Sequence, residues 1–98
     1  MAKGTPIHPG KVLEDKFLDK NKITAYRLAK ETGMQQTRIS QILKKKRSIS
    51  ADTALRLSKF FGTAPKFWLD LQNEYDLSVE SKKSAKEIAA IPNYKKIK

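Results

Sequence analysis

The chain has 98 residues and a net charge of +11, from 21 basic and 10 acidic side chains. This length suits a single domain, and 39% apolar residues supply one modest core. There is no apolar run near the roughly 20 residues of a membrane span, no apolar block of a signal peptide and no cysteine. We therefore expect a cytoplasmic protein without membrane association, and the excess of positive charge predicts a polyanionic partner.

The first predicted helix follows His8. Pro9 suits the first turn of a helix because its missing N–H is not needed there. Leu13 and Phe17 then form one apolar stripe, which continues to about Lys20. His8, the single histidine, lies at the start of this helix, which favours a local capping hydrogen bond over a catalytic role.

Two short helices follow, joined by a tight turn. Thr24 is a typical N-cap for a helix over residues 25–32, and Gly33 is placed to end that helix in the left-handed conformation. Gln35, a weaker cap, precedes a third helix from residue 36 to about residue 44. Two short helices separated by a glycine-containing turn are the sequence form of a helix-turn-helix, whose second helix enters the DNA major groove.

The third predicted helix has one apolar and one polar face. Its inward side chains are Ile39, Ile42 and Leu43, so the polar side chains before and between them face outward. Glutamine can pair with adenine, arginine with guanine, and threonine can contact the thymine methyl group. The residues expected to read base edges are Gln35, Gln36, Thr37, Arg38 and Gln41. An ordinary solvated helix face is the alternative interpretation.

A basic segment follows this helix directly. Residues 34–50 hold five basic side chains and no acidic one, and four of the five are consecutive: Lys44, Lys45, Lys46 and Arg47. A phosphate backbone would run near the end of a helix that lies in the groove. Since phosphate contacts position a protein on DNA and base contacts specify the sequence, we expect these four residues to hold phosphates.

Two more helices complete the predicted domain. Ser50 is a good N-cap for the fourth helix, which ends at Gly62. Thr63 is predicted to cap a fifth helix that has Pro65 in its first turn and runs through Asp76. The apolar side chains of the fifth helix cover more than one face, so some of them either complete the core or form a dimer seam. The residues in question are Phe67, Trp68, Leu71 and Tyr75.

The basic tail over residues 78–98 holds six lysines and two glutamates. It can support a frayed helix around residues 80–90, before Pro92 interrupts it. The segment is too polar to fold alone, but its charge can follow a DNA backbone, which is the role we expect. The alternative is an arm that docks on an acidic partner surface through Ile88, Ile91 or Tyr94.

Enzymatic chemistry has no support in the sequence. There is no paired nucleophile and base, no metal-ligand cluster and no phosphate-cradling glycine-rich loop. The acidic residues on the predicted helices have no histidine partner. We expect no catalytic residue, no metal site and no cofactor.

Two stretches carry a family resemblance: residues 49–57 read ISADTALRL, and residues 67–77 read FWLDLQNEYDL. Together with His8-Pro9-Gly10 and the helix-turn-helix residues, they resemble the HigA antitoxins, the VapI-like addiction-module antidotes of the lambda-repressor-like (Xre) superfamily. The resemblance spans residues 7–77. It implies a five-helix DNA-binding domain that dimerises through its C-terminal region, represses its own operon and neutralises a RelE-like (HigB-like) toxin that cleaves mRNA on the ribosome.

The resemblance also implies roles for particular residues. It assigns base-facing positions to the same five residues as the helical-face argument, and it places three more at the start of a helix that meets the DNA backbone: Thr24, Tyr26 and Arg27. The family usually has a glycine-containing turn after the recognition helix, whereas this chain has three lysines there, so the third helix is expected to end differently. The basic tail lies outside the shared pattern.

The sequence therefore predicts an all-α, lambda-repressor-like protein with an N-terminal arm (1–8), a helix-turn-helix domain (9–77) and a basic tail (78–98). The expected function is that of a dimeric antitoxin and autorepressor that binds double-stranded operator DNA at a pseudo-palindrome. A stand-alone regulator without a toxin is the first alternative. A module that binds nucleic acid or protein without sequence specificity is the second.

Overall fold

The structure is a computed structural model that describes residues 6–97, and it has no strand in that range. The prediction of an all-α fold is confirmed. The helices are α1 (9–21), α2 (Ala25–Thr32), α3 (Gln36–Leu43), α4 (Ala51–Phe61), α5 (Pro65–Lys83), α6 (Ala85–Ala89) and α7 (Tyr94–Ile97). Most of the predicted N-terminal arm, residues 1–5, lies outside the described residues. No helix between residues 6 and 97 is long and apolar enough to cross a membrane.

The start of α1 is held by His8, whose Nδ1 accepts a hydrogen bond from the Gly10 N–H at 2.9 Å. The predicted local capping role of the histidine is confirmed. The middle of α1, Leu13–Leu18, is wound as a π-helix, which the apolar spacing did not predict. Lys22, with φ of 57°, ends the helix in the left-handed region.

The caps of α2 and α4 are those that the sequence predicted. Thr24 Oγ1 accepts from the Arg27 N–H at 3.0 Å, and Ser50 Oγ accepts from the Thr53 N–H at 3.2 Å. Both helices end at a glycine with positive φ, as expected for Gly33 and Gly62. Each cap satisfies a backbone N–H that the first helical turn would otherwise leave without a partner.

The end of α3 has a lysine in the left-handed position. Lys45 has φ of 65°, its N–H bonds to the carbonyl of Ile42 at 3.0 Å, and the N–H of Lys46 bonds to the carbonyl of Gln41 at 2.8 Å. This pair of bonds is a Schellman motif, so the helix ends in the ordinary geometry with an unfavourable residue at the left-handed position.

The core lies between α1 and the four helices that follow. Its fully buried side chains include Leu13, Leu28, Ile39, Ile42, Leu57 and Trp68. The Trp68 ring centroid lies 4.9 Å from that of Phe17, and its Nε1 donates to Thr63 Oγ1 at 2.8 Å. Trp68 is therefore a core residue, which is one of the two roles that the sequence left open for it.

Helix α5 differs from the prediction at both ends. Thr63 does not cap it, because Ala64 is the N-cap and the Thr63 hydroxyl is taken by the buried indole. The helix also continues past Asp76 to Lys83. Neither glycine nor proline occurs between these two residues, so no local signal stops the helix. The predicted frayed helix around residues 80–90 is divided between the end of α5 and α6.

Two contacts fix the region around the end of α3. At Gly10 there is no room for a side chain, since a Cβ atom would lie 2.0 Å from the carbonyl oxygen of Ile42. On the other side, the buried Gln72 of α5 accepts the Ile49 N–H through its Oε1 at 2.8 Å. The segment between α3 and α4 is thus bonded to α5 through Gln72, and the last turn of α3 lies against α1 at Gly10.

Candidate nucleic-acid interface

The two helices of the predicted helix-turn-helix are joined by a three-residue turn, and their inner faces are buried. Leu28 and Ala29 of α2, Met34 of the turn, and Ile39 and Ile42 of α3 all belong to the core. These contacts place the opposite face of α3 in solvent, as the apolar spacing predicted.

The polar row of α3 is exposed at four of its five predicted positions. Gln35, Gln36, Thr37 and Gln41 are all open to solvent. Gln35 precedes the helix without a side-chain cap, so its amide is not committed to the backbone of α3. The amide oxygen of Gln41 accepts from Arg47 Nη1 at 3.0 Å. These side chains form a continuous hydrogen-bonding surface on the first two turns of α3.

Arg38 is different from the other four residues. Its side chain is 27% exposed and turns towards α4, where Nη1 donates to Asp52 Oδ2 at 2.6 Å and to Thr53 Oγ1 at 3.3 Å. The hydrogen bonds from Arg38 and from Arg56 lower the pKa of Asp52 below its ordinary value. Sequence reasoning missed this pair because its members are 14 residues apart and lie on different helices.

The basic segment after α3 is exposed along its length: Lys44, Lys45, Lys46 and Arg47. The Schellman motif and the bond between Gln72 and Ile49 determine its path. At the start of α2, Tyr26 and Arg27 are exposed as well, Tyr26 by 63%. Arg27 lies 3.9 Å from Glu31, a weak surface pair that leaves its charge accessible. The residues expected to contact phosphate are therefore all at the surface.

The predicted dimer seam is mostly packed within the chain. Leu71 is half-buried against the core, and the half-buried Tyr75 ring meets His8 edge-on at 4.9 Å. Phe67 remains 39% exposed. Five apolar side chains further along the chain are more exposed than Phe67: Leu77, Val79, Ile88, Ile91 and Tyr94. The sequence signal that could have found Leu77 and Val79 was the absence of a helix stop after Asp76.

The histidine at the start of α1 has a lowered pKa. Burial is the main cause, and the charge of Lys45 lowers the pKa further while that of Asp76 raises it. The Nδ1 atom of His8 is an acceptor in the cap, which requires the neutral ring. Between residues 6 and 97 there is no group of histidine and acidic side chains that could hold a metal ion.

Comparisons with known proteins relate this chain to one family. The helix-turn-helix family HTH_3 matches residues 16–68. Virulence-associated protein I of Dichelobacter nodosus is 41% identical over 73 residues, which cover 74% of this chain and 68% of that protein.

Two solved structures are similar over almost the entire chain. An addiction module antidote protein of a HigA family from Coxiella burnetii is 47% identical with a TM-score of 0.87, covering 93% of this chain and 100% of that one. The Pseudomonas aeruginosa antitoxin HigA, solved with the higBA promoter, is 37% identical with a TM-score of 0.87, covering 91% and 98%.

Proposed function

The chain belongs to the HigA family of helix-turn-helix proteins, and on that premise we propose that it is a sequence-specific DNA-binding antitoxin that represses its own operon. The observation that carries the proposal is an exposed polar row on α3, followed directly by four exposed cations at its end. Side chains suited to base reading and side chains suited to phosphate contact thus follow one another in the order that a recognition helix requires. The promoter complex of the Pseudomonas relative supports the same role. The protein would act in the cytoplasm, beside its own operon.

We assign the contacts by exposure and chemistry. The proposed base-reading residues are Gln35, Gln36, Thr37 and Gln41. The proposed phosphate contacts are Lys44, Lys45, Lys46 and Arg47, together with Thr24, Tyr26 and Arg27 at the start of α2. Arg38 was part of the predicted base-reading set, but in the free protein its guanidinium is held by Asp52, and we leave it out of the set. This division keeps residues 9–77 as the DNA-binding unit.

Substitutions on α3 and after it test this assignment. Replacing Gln36 or Gln41 by alanine should cost about 1–3 kcal/mol on the operator and relax base preference, because a bidentate contact is lost. Lys44→Ala should weaken binding to every duplex alike and reduce the salt slope by about one. Titrations with operator and unrelated duplex at several salt concentrations measure both effects. Equal losses on the two duplexes for the glutamine variants would contradict the assignment.

We propose that the protein binds DNA as a homodimer. One helix-turn-helix contacts few base pairs, so two copies should occupy half-sites about one helical turn apart on a pseudo-palindrome. The proposed seam is centred on Leu77, the most exposed apolar side chain of α5 at 69%, in place of the buried Trp68. Leu77→Asp should yield a folded monomer in sedimentation experiments. A wild-type monomer at tens of micromolar with a single half-site footprint would refute this proposal.

The basic tail is proposed to follow the DNA backbone. Removing residues 84–98 leaves α5 whole, because that helix ends at Lys83. The truncated protein should keep its operator preference, bind all DNA more weakly and depend less on salt, since fewer counterions are released. Normal DNA binding combined with loss of a protein partner would instead identify the tail as a docking arm.

Neutralisation of a RelE-like or HigB-like toxin is proposed on the strength of family membership. Co-expression with the neighbouring reading frame tests it directly: the toxin alone should arrest growth, and this chain should restore growth and co-purify with it. If no neighbouring product is toxic or co-purifies, the protein is a stand-alone regulator. That result would leave the proposed DNA contacts untouched.

A further inference from the structure

The carboxylate of Asp52 links the helix-turn-helix to α4, directly at α3 and through Arg56 at α2. Asp52, the second residue of α4, accepts from Arg38 Nη1 of α3 at 2.6 Å. It also accepts from Arg56 Nε, at 3.2 and 3.0 Å for its two oxygens. Arg56 Nη1 donates in turn to the carbonyl oxygen of Thr32, the last residue of α2, at 2.8 Å. The chain of contacts therefore runs from α3 through α4 to α2.

This network gives α3 a directional restraint against rotation, which the apolar core beneath it does not provide. Ile39 and Ile42 of α3 are completely buried, but apolar contacts are non-directional and tolerate small rotations of a helix about its axis. Charge-assisted hydrogen bonds from a planar guanidinium have a preferred direction. Arg38 follows the exposed Thr37 in the sequence and lies one turn before the exposed Gln41, at the edge of the polar row. A rotation of α3 that breaks the bond from Arg38 to Asp52 therefore also turns the polar row away from its orientation.

We propose that Asp52 is a positioning residue for DNA readout: it fixes the rotation of α3 by holding Arg38, and Arg56 transmits that restraint to α2. The inference rests on the proposed function and deepens it, since it names a residue outside α3 that sets the sequence preference of α3. Arg38 then contributes to specificity through Asp52, without itself reading a base.

The test compares Asp52→Asn with Asp70→Asn. The control is matched in exposure (52% and 50%) and in the shortest bond from a cation (2.6 and 2.7 Å), and it differs in that Asp52 also accepts from Arg56. Each change removes one negative charge. The pair of Asp70 with Lys66, however, lies within α5 and does not involve α3. A general electrostatic effect on DNA binding is therefore expected from both variants, and a specific one from Asp52→Asn alone.

The first measurement is the ratio of dissociation constants for random duplex and for a duplex selected by the wild-type protein from a random library. We expect Asp52→Asn to lower this ratio about tenfold, within the range for coupled residues, and Asp70→Asn to leave it unchanged. Arg38→Ala, alone or combined with Asp52→Asn, should give the same lowered ratio. An unchanged or increased ratio in Asp52→Asn would overturn the inference, an increase showing that Asp52 merely competes with DNA for Arg38.

A second measurement does not depend on DNA. In the free protein, amide hydrogens of α3 should exchange faster in Asp52→Asn than in Asp70→Asn, because α3 has lost its restraint. Equal exchange in the two variants would overturn the inference. If the wild-type protein selects no duplex, the proposed function fails, and the exchange measurement still decides whether Asp52 positions α3.

Discussion

The contact between α1 and the end of α3 makes Gly10→Ala a severe substitution. The added Cβ would lie 2.0 Å from the carbonyl oxygen and 2.9 Å from the carbonyl carbon of Ile42. The obstruction is backbone, which has no alternative rotamer, and this carbonyl already accepts the Lys45 N–H in the Schellman motif. The clash can be relieved only by separating α1 from α3, which would open the core beneath them.

The cost can be worked from this geometry. Oxygen and carbon need more than 3 Å between them, so the helices must separate by over an ångström at a close-packed position. Overpacking in a core costs about 1–3 kcal/mol, and we expect about 3 kcal/mol here because the neighbour is backbone. In a domain of up to about 100 residues this corresponds to a fall in Tm of about 12–24 °C.

Thermal unfolding followed by circular dichroism tests this value, with Gly62→Ala as the control. Gly62 has φ of 77° and no atom within 4 Å of an added Cβ, so its substitution tests conformational strain without a clash. The control should lose about 1–2 kcal/mol. If Gly10→Ala unfolds at the wild-type temperature, or above the control, α1 does not approach α3 as closely as argued.

Three further substitutions have distinct expected results. Trp68→Phe removes the indole donor to Thr63, and it should lower the free energy of unfolding by about 1–3 kcal/mol without changing the molecular mass in solution, since the ring is in the core. His8→Asn keeps a capping acceptor that does not titrate. Because burial lowers the pKa of His8 in the folded state, the wild-type free energy of unfolding should decrease as pH falls below about 6.5, the ordinary histidine value. The variant should show a flatter pH dependence in thermal unfolding. Lys45→Gly removes the strain of a lysine in the left-handed region and should raise the free energy of unfolding by about 1 kcal/mol. Because a positive charge is also lost, titrations should show weaker binding to all DNA.

The elements that the sequence predicted well are those with local determinants. Thr24 and Ser50 bond to backbone N–H groups three residues further along the chain. The local sequence alone is therefore enough to predict both caps. Thr63 has the same chemistry, but its hydroxyl is the acceptor for a buried indole. Whether a hydroxyl caps a helix or satisfies a side chain depends on burial, which local sequence does not specify.

The exposed polar row was predictable for a similar reason, because Ile39 and Ile42 determine which face of α3 is buried. The contacts that side chains of α3 make with other helices could not be predicted from the sequence. Arg38 meets Asp52 only because α3 and α4 pack together, and no local sequence pattern indicates that packing. Gln72 likewise reads as a surface residue by composition, yet the fold buries it against the backbone of Ile49.

Three contacts with other helices explain how α3, a helix of eight residues, can present a fixed surface. A helix of that length is not stable alone in water, so its geometry must come from its surroundings. Gly10 of α1 closes against its C-terminal carbonyl, Gln72 of α5 fixes the segment after it, and Asp52 of α4 holds its outer edge. If α5 carries the dimer seam as proposed, Gln72 and the core would set the spacing of the two recognition helices on DNA. A substitution in α5 that removes the bond from the Ile49 N–H to Gln72 but leaves the dimer intact should therefore weaken the preference for half-site spacing. Its effect on the preference for particular bases should be smaller.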